Sequence, residues 1–324
     1  MKKLVSVVLA ISIVATIFSM CGLTAFAKTS GTCGENAYWN YDESTKTITI
    51  SGTGAVHSGL AGWDELDAEN VIIEDGITYI GYLHCNSMKY LKIAGSVKCI
   101  SDYAIFSYNL KEVKLEYGIE SLEVGPFANN PALEKVNIPG SVKTFMGCTF
   151  SYCSSLKTVI LEEGIDIITE AMFLNCTSLE SITIPSTVKR IDGDAFNGCT
   201  SLKEVTIPEN VEIINIRAFE GCSALTEINI PESTTQILNG AFNNCSSLGK
   251  IYINNKHCLI ETKDTIPENA VIYGYTDSSA EKYAEQYGRE FVALDDDIIS
   301  IFIRFIKSYI DFIKSLFNYF LKMI

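Results

Sequence analysis

The chain has 324 residues, 47% apolar and 20% charged, with a formal net charge of −14. The apolar share can build a large core, and the acidity excludes nucleic acid as a partner because phosphates would be repelled. Eleven cysteines against three histidines (His57, His84 and His257) with no C-x-x-C pair argue against a zinc site.

Residues 1–27 read as an export signal: Lys2 and Lys3 are basic, Leu4–Met20 is apolar, and Ala25-Phe26-Ala27 fits an A-x-A cleavage site. Lipid attachment at Cys21 would want a small residue where Met20 stands. Loss of Lys2 and Lys3 takes the net charge from −14 to −16, and the mature chain begins near Lys28. Residues 28–70 read as an N-terminal cap. Ala37–Tyr41 and Thr47–Ser51 flank a polar turn and make a hairpin that covers the first open edge.

Residues 71–260 carry an internal repeat of 23 residues. Phe127, Phe150, Phe173, Phe196, Phe219 and Phe242 recur without a slip, and Cys153, Cys176, Cys199, Cys222 and Cys245 follow in the same frame. Each unit holds a short alternating element such as Ser181-Ile182-Thr183-Ile184, so one face is apolar and the other polar. Pro185, Pro208 and Pro231 end that element, having no N–H to donate. No unit buries its own apolar edge, so about nine coils must stack as a solenoid. Met88 replaces the usual Leu, Leu110 follows Phe106 two residues too soon, and Glu162 replaces the proline, so the early coils depart from the pattern. The cysteines in register read as a ladder of small buried thiols; disulfides between rungs are the alternative.

Residues 261–294 read as a C-terminal cap: a last strand at Val271–Tyr273, then a helix over Ser279–Tyr287 with Asp277 or Ser278 as N-cap and Gly288 as C-cap. The coil F-x-x-C-x-x-L-x-x-I-x-I-P-x-x-V-x-x-I, the opening Thr47-Ile48-Thr49-Ile50-Ser51-Gly52-Thr53-Gly54 and the closing Val271-Ile272-Tyr273-Gly274-Tyr275 resemble the BspA-like leucine-rich-repeat family. That resemblance implies a mainly β, right-handed superhelix and a bacterial surface or secreted protein that binds host proteins or other cells.

Chemistry is sparse. The densest carboxylates are Asp64-Glu65-Leu66-Asp67 and Glu162-Glu163, with His57 and His84 flanking the first group. They could be imagined as acid and base of a hydrolase, but both stretches read as polar turns. No nucleophile motif appears, and no enzyme activity, cofactor or metal is expected. The solvent side of the stacked strands is the sharper candidate. Tyr90, Lys92, Lys114, Asn137, Thr183, Thr206, Asn229 and Tyr252 would line it, a mixed polar stripe suited to a protein or glycan and equally to plain solvation.

Residues 295–324 form a separate tail. Residues 298–324 hold 18 apolar side chains, while Arg304, Lys307, Lys314 and Lys322 fall with other polar groups on one stripe of a helix. A helix lying in a membrane interface is the leading reading; self-association or a partner helix, and packing on the solenoid, remain open. Together these readings give a secreted or cell-surface binding and adhesion protein, with a structural envelope protein as alternative.

Overall fold

The computed structural model describes residues 28–57, 62, 63, 65–295 and, within the tail, positions 306, 309 and 313. The chain winds into a mainly β parallel solenoid of about 11 turns with one short helix near its end. Each regular coil runs through two strands. In one coil these are Ser181–Thr183 and Arg190–Ile191, joined by a turn in which the Val188 amide donates to the Pro185 carbonyl at 3.1 Å. The alternation predicted for the first strand holds: Ile182 and Ile184 are buried while Ser181 and Thr183 are exposed.

The strands of successive coils pair in parallel, in columns set by the repeat. Asn70, Tyr90, Glu112, Lys135 and Thr158 stand in one column of the outer face, and Ile72, Lys92, Lys114, Asn137 and Ile160 in the next. Further along, Glu227, Lys250 and Val271 align, as do Asn229, Tyr252 and Tyr273. Between the two ladders lies a dry core filled by one residue per coil at each position. The six phenylalanines stack at ring separations of 5.4, 5.9, 5.4, 5.1 and 5.4 Å with planes within 16° of parallel. Offset stacking of this kind adds to the burial of six large side chains.

The ladder runs beyond the nine strand starts read from the repeat, at both ends. At the beginning, the single strand Thr47–His57 feeds both ladders: residues 47–50 pair with Asn70–Ile73, and residues 54–57 with Ile77–His84. Asn36–Asp42 lies antiparallel on its free side, and Ser30–Thr32 antiparallel on that. Trp39 on this hairpin meets Trp63 edge-on at 5.7 Å, so the cap closes the core with indoles rather than with another coil. At the other end Val271–Gly274 continues the ladder. The helix Ser279–Tyr287 starts at Ser278, whose hydroxyl accepts from the Glu281 amide at 3.2 Å, and ends at Gly288 in the left-handed region. Asp277 is not the cap; its own amide donates to the Glu281 carboxylate at 2.6 Å. A last strand, Phe291–Ala293, then pairs parallel to Ile272–Gly274, which the sequence reading did not anticipate.

One early irregularity has a simple resolution. The Ile105 amide donates to the Pro126 carbonyl, as the Phe127 amide does to Thr149 and the Phe150 amide to Met172. Ile105, and not Phe106, therefore occupies the phenylalanine column, and it is fully buried. Phe106 is turned outward, and the apparent shift of two residues shrinks accordingly.

Candidate functional site

The outer face of the first-strand ladder is an open, two-column surface. Of the residues predicted to line it, Lys114, Thr183, Thr206 and Asn229 are exposed, while Tyr90, Lys92, Asn137 and Tyr252 are half-buried. Inward neighbours such as Leu91, Val113, Val136 and Ile228 are buried in the core, while Val159 and Val205 are half-buried against it.

Several of these groups are already engaged. Lys92 is paired with Glu116 at 2.8 Å, and Lys135 with Glu112 at 2.7 Å. These hydrogen-bonded carboxylates raise the pKa of both lysines, holding them charged. Asn137 turns back on the preceding coil, its Oδ1 accepting from the Leu115 amide at 3.1 Å and its Nδ2 donating to the Leu115 carbonyl at 2.9 Å. It therefore stitches the ladder more than it faces a ligand. Asn229 accepts from Asn254 at 2.8 Å, and Tyr252 stacks on Tyr273 at 4.5 Å. Lys114 has no ion pair among the described residues and stands between Lys92 and Asn137, the least committed cation of the face. Ile160, at an outward strand position of the repeat frame, is 48% exposed at the end of this column, an apolar side chain on an otherwise polar face.

The cysteine column lies on the opposite side of the core. Cys153, Cys176, Cys199, Cys222 and Cys245 are buried and free, and each thiol donates to a phenylalanine carbonyl 26 residues earlier, at 3.3, 3.3, 3.2, 3.3 and 3.0 Å. Burial pushes Cys153 and Cys199 up to about 12 and Cys176 well above its ordinary value. Cys222 is raised by its hydrogen bond with Cys245 as well as by burial.

The carboxylates considered as acid and base serve turns. Asp67 meets Lys46 at 2.6 Å, Glu162 accepts from the Gly140 amide, and Glu163 accepts from the Ser186 hydroxyl and amide, which lowers its pKa. Asp64 lies outside the described residues, as do residues 1–27 and Arg304, Lys307, Lys314 and Lys322. In a surface depression of about 370 Å³ lined by Glu170, Asp192, Asp194, Asn215 and Arg217, two of the three carboxylates are already paired, Arg190 holding Asp192 and Arg217 holding Asp194 at 3.0 Å. Among the described residues no group of three or more His, Cys, Asp or Glu is gathered for a metal, and no helix is long and apolar enough to cross a membrane.

Parallel coils with a buried leucine, a small buried residue bonding the backbone and an open strand face define a leucine-rich-repeat solenoid. The chain belongs to the BspA type leucine rich repeat family, whose model matches residues 75–201 and 166–265 in 6 copies. Among solved structures, a leucine-rich repeat protein from Bacteroides ovatus is similar at a TM-score of 0.58 and 19% identity, covering 74% of this chain and 70% of that one. A leucine-rich repeat protein from Eubacterium ventriosum aligns at a TM-score of 0.40 and 21% identity over 78% of this chain and 79% of that one. The T. pallidum leucine-rich repeat protein aligns at 0.43 and 17% over 81% and 97%. No curated protein matches the chain.

Proposed function

We propose that this chain is a non-catalytic binding and adhesion protein, exported to the cell surface or beyond, that recognises a host or microbial macromolecule through the outer face of its first-strand ladder. The observation that carries the reading is the in-register pair of columns through Tyr90, Lys92, Lys114 and Asn137, paired strand to strand from Asn70–Ile73 to Thr158–Leu161. Such a face presents lysines and glutamates side by side with Thr, Asn and Tyr, a mixture suited to a folded protein surface, and repeat solenoids commonly bind along such faces. Leucine-rich-repeat families are generally non-catalytic, and the candidate acids are occupied in turns. The sequence of residues 1–27 supports export. The wide apolar face read in residues 298–324 supports contact with a lipid surface, and Ile306, Tyr309 and Ile313, the described positions of that segment, are helical and exposed.

The test reverses charge at the centre of the face. The full chain and its Lys92→Glu/Lys114→Glu variant are immobilised and probed with extracellular-matrix and microbial-surface proteins. A ligand retained by the native chain should bind the variant at least tenfold more weakly, because rim and patch charges steer association and set register. Equal binding to both overturns the assignment of the face.

A further inference from the structure

The outer corner of the first coils carries side chains found nowhere else in the repeat. In the regular coils the residue after the phenylalanine column is never aromatic: it is Ala128, Ser151, Leu174, Asn197, Glu220 and Asn243 in turn. In the early coils the equivalent places, after Leu83 and Ile105, are His84 and Phe106. Register then brings aromatic rings together across three successive strands: His57 stands opposite Tyr82, and His84 opposite Phe106. Tyr82, His84 and Phe106 form a parallel stack, with centroids 6.3 and 5.9 Å apart and planes 22° and 11° from one another. Tyr108 closes one end edge-on to Phe106 at 4.8 Å, and His57 lies 5.9 Å from Tyr79 at the other. Gly81 makes room for the His57 ring, since a Cβ there would fall 2.3 Å from it.

We propose that this aromatic row is a second binding site, distinct from the ladder face, that takes a neutral glycan chain. Tyr82 and Tyr108 are 43% and 67% exposed, and clustered exposed rings mark a binding surface rather than ordinary solvated surface. The choice of ligand follows from charge. Among the described residues no lysine, arginine or carboxylate stands in the row, and two ionised groups of these coils are engaged elsewhere: Asp102 accepts from the Val124 amide at 2.8 Å and Lys89 pairs with Glu69 at 2.9 Å. A sulfated or sialylated polymer would meet a chain of net charge −14 with no cation to receive it. A cationic peptide would find no carboxylate in the row. The row offers ring faces with a negative quadrupole, phenol hydroxyls, the exposed side-chain amide of Asn86 and the Oδ1 of Asn109, whose Nδ2 donates to the Asn86 carbonyl at 2.8 Å. A sugar ring matches both kinds of group, its polarised C–H face lying on an aromatic face while its hydroxyls exchange hydrogen bonds with hydroxyls and amides.

Affinity electrophoresis of the full chain through gels containing a β-glucan, a mannan or a galactan, with heparin as the anionic comparator, tests the proposal. At least one neutral polysaccharide should retard the chain, with little response to added salt. A Tyr82→Ala/Tyr108→Ala variant should bind at least tenfold more weakly, whereas Lys92→Glu/Lys114→Glu should bind as the native chain does. Should the alanine pair lower the thermal midpoint, Tyr82→Phe/Tyr108→Phe keeps the rings and should retain most of the retardation. No retardation in any neutral gel, retardation by heparin alone, or full retention by a folded alanine variant overturns the assignment. Failure here leaves the ladder face untouched, since its test uses other residues and protein ligands.

Discussion

The thiol in each regular coil answers a backbone need. The Phe150, Phe173, Phe196 and Phe219 carbonyls each accept from the cysteine amide of their own coil, and the cysteine thiol of the next coil supplies a compact second donor that ties the two coils together among buried side chains. Where the column begins, Asn130 takes the cysteine's place and its Nδ2 donates to the carbonyls of both Ile105 and Phe127, at 3.0 and 2.8 Å. Thr149 illustrates the opposite case. It is fully buried where later coils place Ala195, Ala218 and Ala241, and its hydroxyl has no partner among the described residues. Thr149→Val keeps the shape and removes the unsatisfied donor, so it should stabilise the chain by about 1 kcal/mol, read as a higher urea midpoint with unchanged slope. A second repeating need is met at Ala171, Asp194 and Arg217, which recur every 23 residues in the left-handed region at φ of 51°, 55° and 55°. Three different side chains accept that conformation because the coil, not the residue, imposes it.

At the scale of the element, the columns set what can react. The buried thiols should resist iodoacetamide in the native chain at pH 8 and titrate fully after denaturation; rungs already joined as disulfides in fresh protein would contradict the ladder. The pH dependence follows from the raised pKa values of Cys153 and Cys199, which move from the ordinary 9.0 to about 12. The protonated thiol is the form the fold prefers, so its stabilising share is complete below about pH 9 and is lost as pH rises toward about 12. The columns were also what the sequence made legible. A 23-residue recurrence of Phe, Cys, Leu and alternating Ile fixes the first strand of each coil and the core, because identical coils must bury identical positions, whereas the second strand, two residues long as at Arg190–Ile191, is too short to show an alternation. What it could not resolve were places where one residue changes role. Ile105 and Phe106 are both apolar, and only pairing decides which enters the core. Asn137 has the character of a ligand-facing residue, yet its amide closes on Leu115. In the early coils the turns also alternate, the Gly76, Gly118 and Gly164 amides donating to Ser96, Ser141 and Thr187 of the following coil. That two-coil rhythm stands in the sequence as Gly-Ile at Gly76, Gly118 and Gly164 against Ser-Val or Thr-Val at Ser96, Ser141 and Thr187, but a search for a single period passes over it.

At the scale of the whole molecule, an acidic solenoid is joined to a basic, apolar segment. Residues 298–324 carry a net charge of +3 against −14 for the entire chain. Each basic residue near an anionic lipid surface contributes about 1 kcal/mol of attraction, and exposed apolar area adds more. Removal of residues 298–324 should therefore leave the far-UV spectrum and thermal midpoint of the solenoid unchanged and abolish co-flotation with phosphatidylglycerol vesicles. A full chain that ignores such vesicles and sediments as an oligomer, with the truncated chain monomeric, would identify the segment as an assembly helix instead.

In the regular stretch the ion pairs between coils join residues 23 positions apart, as in Lys203–Glu180, Arg217–Asp194 and Lys250–Glu227. Every coil therefore meets a neighbour built to the same plan, and an in-frame gain or loss of one 23-codon unit within the regular stretch reproduces the surroundings of those that remain. Heritable change in length is then the variation this architecture absorbs most readily, lengthening or shortening the reach of the binding face. The two ends, closed by Trp39 and Trp63 on one side and by the Ser279–Tyr287 helix on the other, are the parts of the gene least free to move.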